Sequence, residues 1–275
     1  MTTAVSLACS AVVAHLREEN IPDLISVKKI ISPDDEDITR IIELYVELFS
    51  DESLNYSSED IIGMIQRHSH DHESKNLRVE DFVLVAKYNG AVVGFLFCHF
   101  FLQHKKAIIS YYGIDKGVLE ARRSAANVLL KSIRTMLCSN GRKCDYLFFE
   151  VERPGIGSSK EENVKRKARI SVFKQGALAF GLKAYCLRFD YTSPRITLSA
   201  GTEETPLTLM VISFVGGLKE LLPRALVIEF LRFIYLECYG DIYETSDFSY
   251  SAYQIHLREK LSEYEEILPD EIEVV

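Results

Sequence analysis

The chain has 275 residues, of which 47% are apolar and 26% are charged. This composition excludes a globally disordered chain and allows one large domain or two modest ones. Lysine and arginine total 32 residues against 40 aspartates and glutamates, so the net charge is -8. Because a nucleic-acid binder needs a basic surface, this acidic balance argues against a nucleic-acid partner.

The sequence gives little sign of a membrane span or an export signal. No apolar run approaches about 18 uncharged residues, which is the length needed to cross a bilayer. Residues 3–14 are mildly apolar, but no basic region precedes them. The six cysteines form no CxxC pair, which suits free thiols in a reducing compartment. We therefore expect a cytoplasmic protein with no membrane partner.

In chain order, the first 80 residues predict one strand among several helices. Residues 1–24 predict a helical arm, and the β-branched segment 25–31 predicts a strand. Acidic residues then open a helix whose apolar positions recur at helical spacing up to Phe49. A second helix is predicted from Ser57 to about His68, and a polar loop follows it to residue 80.

After residue 80 the pattern favours strands. Residues 82–88 and 91–101 flank Asn89-Gly90, which is the strongest short signal for a β-hairpin. The next predicted elements are a strand at 107–114, a helix at 115–140, a strand at 144–151, a basic helix at 161–175, and strands at 182–191 and 206–214. After residues 216–217 the pattern is helical to the end.

This order predicts an α/β (α+β) protein with a mixed, mostly antiparallel central sheet of about seven strands flanked by helices. We expect three parts: the arm at 1–24, a core at 25–214 and a C-terminal helical extension at 215–275. Within the extension, residues 226–239 are apolar on nearly every side. Such a helix must be buried, either on its own core or at the subunit interface of a homodimer.

One segment after the 107–114 strand has the character of an anion site. Small residues stand at Ser124, Ala125 and Ala126, directly after Arg122 and Arg123. Free amides at the start of a helix attract phosphate, and small side chains let phosphate oxygens reach the backbone. The alternative is that these small residues only allow close packing of the helix on the sheet.

The element order and this segment resemble the GNAT superfamily of N-acetyltransferases over about residues 25–214, as in bacterial members with a helical C-terminal extension. The superfamily motif Arg/Gln-x-x-Gly-x-Gly/Ala corresponds to residues 121–126, where Ala121 and Ser124 depart from it. The resemblance implies a GNAT-like fold, acetyl-CoA as co-substrate, no metal, and acyl transfer to an amine-bearing small molecule or peptide.

The resemblance also assigns residues to the co-substrate. It implies that the diphosphate of coenzyme A binds at residues 122–126. It further implies that the backbone of Tyr112, Gly113 and Ile114 holds the pantetheine arm and polarises the thioester, with Tyr112 also a candidate catalytic group. A glycine within a strand suits a close approach of this kind, although an ordinary strand glycine is an equal reading.

Two glutamates are candidates for the base that deprotonates the amine. Glu150 and Glu152 close the strand at 144–151, and alternation places both on the same face. The resemblance implies a base carboxylate near this position, whereas the alternative is a pair of solvated strand-end glutamates.

The acid that protonates the leaving thiolate is harder to assign. In the superfamily it is often a tyrosine on the following helix, and the two possible registers place Val172 or Ala177 there. Tyr112, Tyr185 or Tyr191 could replace it, or solvent could protonate the thiolate. The missing tyrosine favours the alternative function, a catalytically degenerate module on the same fold that binds acyl-CoA or another protein. A third possibility is an interaction protein that dimerises through residues 220–268.

Several histidines are further candidates. The run His68-Ser69-His70-Asp71-His72-Glu73 could chelate a metal, but a local polar loop is the more usual reading. His99 and His104 could face a cleft, although single histidines on strands are more often structural.

Overall fold

The computed structural model describes residues 25–49, 57–71, 78–139, 141–156, 159–194, 204–240 and 248–275. The predicted helical arm at 1–24 lies outside the described residues. The strands are Ile25–Ile30 (β1), Val79–Tyr88 (β2), Ala91–Phe101 (β3), Lys106–Ile114 (β4), Tyr146–Glu152 (β5), Ala184–Cys186 (β6), Tyr191–Ser193 (β7), Thr205–Ser213 (β8), Leu221–Pro223 (β9) and Glu271–Glu273 (β10). The helices are Ile38–Leu48 (α1), Ser58–Asp71 (α2), Leu119–Leu137 (α3), Lys160–Leu178 (α4), Arg224–Arg232 (α5) and Phe248–Ile267 (α6). A π-helix, Phe233–Tyr239, continues α5.

The main sheet has eight strands in the order β1-β2-β3-β4-β5-β8-β6, with β7 also paired to β8. Its neighbouring strands are antiparallel except for β4 and β5, which are parallel. The predicted mixed, mostly antiparallel sheet is therefore confirmed. The predicted strand at 182–191 is two short strands, because the intervening residues bond to the C-terminal end of the chain. In that contact the Arg188 amide donates to the Glu273 carbonyl.

The hairpin between β2 and β3 is formed as the sequence predicts. Asn89 and Gly90 both have positive φ angles, 52° and 82°. Two consecutive left-handed residues give a turn whose twist matches that of the flanking strands. Tyr88 therefore pairs directly with Ala91, and the pairing extends to Val79 and Phe101.

Alternation along the strands divides the core between the two faces of the sheet. One face carries residues such as Leu96 and Phe149, which pack with Leu129 of α3 and Phe173 of α4. The opposite face is covered by two separate groups of helices. One group is α1 and α2, over the β1–β4 part of the sheet. The other is the C-terminal helices, over β5 and β8.

The C-terminal helices bury their apolar residues against the sheet of the same chain. Phe230 packs on Phe148 with ring centroids 5.0 Å apart, and Phe233 packs on Phe101 at 5.1 Å. The all-helical prediction for this region is wrong in one respect, because β9 and β10 form a small antiparallel sheet. None of the described helices is long and apolar enough to span a membrane.

Close packing of α4 on α3 should make Gly176 intolerant of a side chain. A Cβ atom at Gly176 would clash with buried Leu130 of α3, so we expect Gly176→Ala to lower the free energy of unfolding by about 1–3 kcal/mol. Gly63→Ala on α2 is the matched control, since no atom lies within 4 Å of its added Cβ. There we expect a gain of about 0.5–1 kcal/mol, measured by urea denaturation. Equal effects of the two variants would contradict this packing.

Candidate active site

The parallel strands β4 and β5 separate after a short paired region. Positions 106–109 of β4 pair with positions 146–149 of β5, and this pairing ends at Ile109 and Phe149. Beyond that point β4 stays paired with β3 as far as Ile114, and β5 stays paired with β8 as far as Glu152. Both strands are therefore held by their other neighbours while a gap opens between them. We call this space the β4–β5 gap.

A β-bulge on β4 lies at the closed end of the gap. The register between β3 and β4 shifts between the pairs Phe97–Tyr111 and Cys98–Ile109, so Ser110 is an extra residue on β4. A bulge places two consecutive side chains on one face of a sheet. Ser110 accordingly contacts His99, and Tyr111 packs edge-on against Tyr45 of α1 on the same face.

Glu150 stands on β5, one residue beyond the last pair, and two tyrosines hold its carboxylate. The Tyr191 hydroxyl donates to Oε1, and the Tyr239 hydroxyl donates to Oε2 at 2.7 Å. Burial raises the pKa of Glu150, and the two hydrogen bonds only partly oppose that increase. Burial also raises the pKa of Tyr191, so this tyrosine is a proton donor to the carboxylate.

Glu152, the second candidate base, has a different environment. Arg169 of α4 forms an ion pair with it, and its side chain is about half exposed. The structure therefore separates the two glutamates that alternation places together. Glu150 lies among tyrosines at the closed end of the β4–β5 gap, whereas Glu152 lies in an exposed ion pair nearer its mouth.

The three β4 residues proposed to hold the pantetheine arm lie along the β4–β5 gap. Tyr112 points to the α3–α4 face, where its ring centroid is 5.3 Å from that of Phe173. Ile114 packs on the same apolar cluster. Gly113 has no room for a side chain, because an added Cβ would lie 2.7 Å from Leu48 Cδ1 and 2.8 Å from Phe95 Cε1. Side-chain packing therefore accounts for this glycine.

The start of α3 differs from the predicted position. The helix begins at Leu119 after the N-cap Val118, so its free amides belong to residues 119–121. The prediction that Ser124, Ala125 and Ala126 present free amides is wrong, because amides beyond the first turn bond within the helix.

The residues named in that prediction have separate surroundings. Ala125 and Ala126 are buried in the core, and Ser124 is partly exposed. Arg123 is exposed, and its Nη2 donates to Gln175 Oε1 at 3.3 Å. The side chain of Arg122 lies outside the described part of the chain.

Tyr185, the remaining tyrosine candidate, lies away from the β4–β5 gap. Tyr185 accepts a hydrogen bond from the Leu218 amide at 3.1 Å on β6, at the far side of β8. The side chains of residues 68–73, which form the histidine run, lie outside the described part of the chain. Among the described residues no group of three or more His, Cys, Asp and Glu side chains could hold a metal ion.

Sequence reasoning missed Asp81 and Ser110, and it undervalued His99. Asp81 Oδ1 lies 2.6 Å from His99 Nδ1, and His99 Nε2 lies 3.1 Å from Ser110 Oγ. Arg67 of α2 also donates to Asp81, at 3.1 Å. Burial acts to raise the pKa of Asp81, but His99 and Arg67 outweigh it and the pKa is lowered. The available signal is that each of the three is a polar residue within a mostly apolar strand.

No family model and no curated protein matches the chain. Solved structures similar to it include a putative GNAT acetyltransferase from Bacteroides thetaiotaomicron, at 16% identity and a TM-score of 0.49, covering 78% of this chain and 98% of that one. A putative acetyltransferase from Salmonella typhimurium, solved with acetyl-CoA, aligns at 13% identity and a TM-score of 0.41 over 69% and 94% of the two chains. The aminoglycoside 6'-N-acetyltransferase from Enterococcus faecium aligns at 10% identity and a TM-score of 0.42 over 70% and 99%.

The raised pKa of Glu150 predicts a definite pH dependence of stability. A carboxyl group with a raised pKa binds more protons in the folded chain than in the unfolded chain, so its contribution to stability falls as the pH rises above about 4.3. Glu150→Gln removes this titration. The stability of the variant relative to wild type should therefore improve between about pH 4 and pH 7.

Urea denaturation across this pH range measures the effect. Tyr239→Phe is the companion variant, because it removes a donor to the carboxylate and should extend the loss of stability to higher pH. A difference between Glu150→Gln and wild type that does not change with pH would contradict the raised pKa.

Proposed function

We propose that the chain is a GNAT-type N-acyltransferase that transfers the acyl group of acyl-CoA, most simply acetyl-CoA, to an amine. The observation that carries this proposal is the separation of β4 from β5 after four paired positions. The gap lies between two continuous strands, so an extended substrate can enter the sheet without unfolding it.

The gap suits a pantetheine arm in length and chemistry. From Ser110 to Ile114, β4 advances four residue steps, or about 13 Å. Among the described strands this part of β4 is paired with β3 only, so its other edge offers peptide groups to the amides of the arm. We propose that the backbone of Tyr112, Gly113 and Ile114 makes these contacts.

The mouth of the gap suits a diphosphate. The free amides of residues 119–121 lie at the start of α3, where the helix dipole favours an anion. Arg123 is exposed one turn further on, and with Arg122 it supplies positive charge. We therefore propose residues 119–121 as the amide donors and keep Arg122 and Arg123 in the proposed site.

We propose that the amine attacks the thioester directly and that Glu150 accepts its proton. An ammonium group must lose a proton before it can attack a carbonyl, and a buried carboxyl with a raised pKa is suited to accept one. Glu152 is the second candidate, but its ion pair with Arg169 makes it less available. No acyl-enzyme is needed, so no cysteine nucleophile is required.

The acceptor is an amine-bearing small molecule or peptide. A homodimer would use the exposed side of α6, where Ile255 and Ile267 lie.

One observation favours the alternative of a non-catalytic acyl-CoA-binding module. No tyrosine occurs anywhere in α4.

Binding of acetyl-CoA is the first test of the proposal. By isothermal titration we expect micromolar binding to wild type and at least about tenfold weaker binding to Arg123→Glu, since a charge-assisted contact contributes roughly 1.5–3 kcal/mol. Lys131→Glu, an exposed change two turns further along α3, is the charge-matched control and should bind like wild type. A folded wild type that binds no acetyl-CoA would rule the proposal out.

Turnover is the second test. Release of the coenzyme A thiol from acetyl-CoA is followed with a panel of primary amines comprising spermidine, an aminoglycoside and a lysine-containing peptide. For the best acceptor, Glu150→Gln should lower kcat by about 10²–10⁴, the usual range for loss of a general base, without weakening acetyl-CoA binding. Tight binding with no turnover on any amine would instead support the non-catalytic alternative.

A further inference from the structure

A row of polar side chains crosses the face of the sheet that α1 and α2 partly cover. Its members stand on four neighbouring strands and are Asp81 on β2, His99 on β3, Ser110 on β4 and Glu150 on β5. Asp81 pairs with His99 in the strand register, and Ser110 and Glu150 each follow the last β4–β5 pair. We call this set the polar row. It runs between the two apolar clusters of this face and ends at the β4–β5 gap.

Three members of the polar row form a directed chain of hydrogen bonds. A carboxylate can only accept, so His99 Nδ1 carries a hydrogen and donates it to Asp81 Oδ1 at 2.6 Å. His99 Nε2 then faces the Ser110 hydroxyl at 3.1 Å. Asp81 is held in turn by Arg67, whose side chain is 62% exposed. The chain therefore connects the gap to a cation at the protein surface.

This chain of hydrogen bonds is buried, where an unpaired polar group would cost free energy. The side chains of Asp81 and His99 are only 5% and 14% exposed. The pKa of Asp81 is lowered, so Asp81 stays ionised and accepts the Nδ1 hydrogen of His99. The Ser110 end is the bulged residue of β4, so the same distortion that opens the gap also aims this hydroxyl towards His99.

Acyl transfer from a thioester to an amine needs two proton transfers. The amine loses a proton, and the sulfur of coenzyme A gains one. Glu150 on the β5 side of the gap is proposed for the first transfer. The second has no donor on α4, since that helix contains no tyrosine.

We propose that Ser110, supplied with protons by His99 and positioned through Asp81, is the acid that protonates the leaving thiolate. This inference rests on the proposed acyltransferase function. As the amine nitrogen bonds to the carbonyl carbon, the carbon–sulfur bond breaks and the amine proton passes to Glu150. The sulfur takes the hydrogen of Ser110 Oγ, which receives the hydrogen of His99 Nε2. Transfer from Glu150 through water then reprotonates His99.

Asp81 from β2 and Ser110 from β4 contact the His99 ring, and Arg67 from α2 pairs with Asp81. Tyr111 of β4 and Glu150 of β5 lie on the same face of the sheet. A step that needs a protonated general acid has a kcat that falls at high pH. Loss of Glu150 should instead remove the fall of kcat at low pH.

The experiment compares two kinds of acceptor with acetyl-CoA as donor. Hydroxylamine is uncharged at neutral pH and needs no base, but the thiolate still needs a proton when hydroxylamine attacks. We therefore expect hydroxylamine to restore turnover in Glu150→Gln and not in Ser110→Ala or His99→Gln. The last two variants should lose about 10²-fold in kcat, keep the KM for acetyl-CoA, and lose the fall of kcat at high pH.

Two further variants separate chemistry from structure. Ser110→Thr keeps the hydroxyl and should keep the high-pH fall of kcat. His256→Gln changes a partly buried histidine of α6 outside the polar row and should behave like wild type. If Ser110→Ala folds poorly by circular dichroism, His99→Gln and Ser110→Thr still decide the question.

The outcomes are distinguishable. If wild type is active and the pH profile of kcat is unchanged in His99→Gln, the acid role is overturned and the proposed function stands. Equal rescue of Ser110→Ala and Glu150→Gln by hydroxylamine also overturns it, since Ser110 would then serve the base. So does an acetyl group found on Ser110 by intact mass measurement after incubation with acetyl-CoA alone. Wild type that binds acetyl-CoA but transfers to no acceptor, hydroxylamine included, overturns both.

Discussion

The early end of pairing between β4 and β5 is the constraint on which the rest of the molecule depends. Only four positions pair before the strands part, and each strand then keeps its pairing with its other neighbour. The sheet can carry this internal gap because those outer pairs supply most of the backbone hydrogen bonds of both strands. The bulge at Ser110 adds local bend and twist at the point where the strands diverge.

The C-terminal helices belong to the site as well as to the core. Tyr235 donates to the Thr192 carbonyl at 2.6 Å, and Tyr264 accepts from the Thr192 amide at 2.9 Å. These bonds fix β7, which carries Tyr191 to the Glu150 carboxylate. The π-helix supplies Tyr239 to the same carboxylate. A π-helical segment of this kind often accompanies a functional site, and here it ends at the proposed one.

The two faces of the sheet differ in how polar they are. The face with α3 and α4 is a continuous apolar core, and Gly176 lets the two helices approach closely. The opposite face is divided into two apolar clusters, and the polar row passes between them. This division places titratable groups beside the gap without interrupting the main core.

The sequence by itself determined the order of the elements from β1 to α4, the β2–β3 turn at Asn89-Gly90 and the placing of Glu150 near a strand end. These follow from local periodicity and from turn residues, which act over a few neighbouring positions. Only the tertiary structure decided where α3 begins, which glutamate meets the tyrosines, and that Asp81, His99 and Ser110 touch. Those contacts depend on strand register and on one bulge between residues up to 89 positions apart, and no local pattern encodes register of that range.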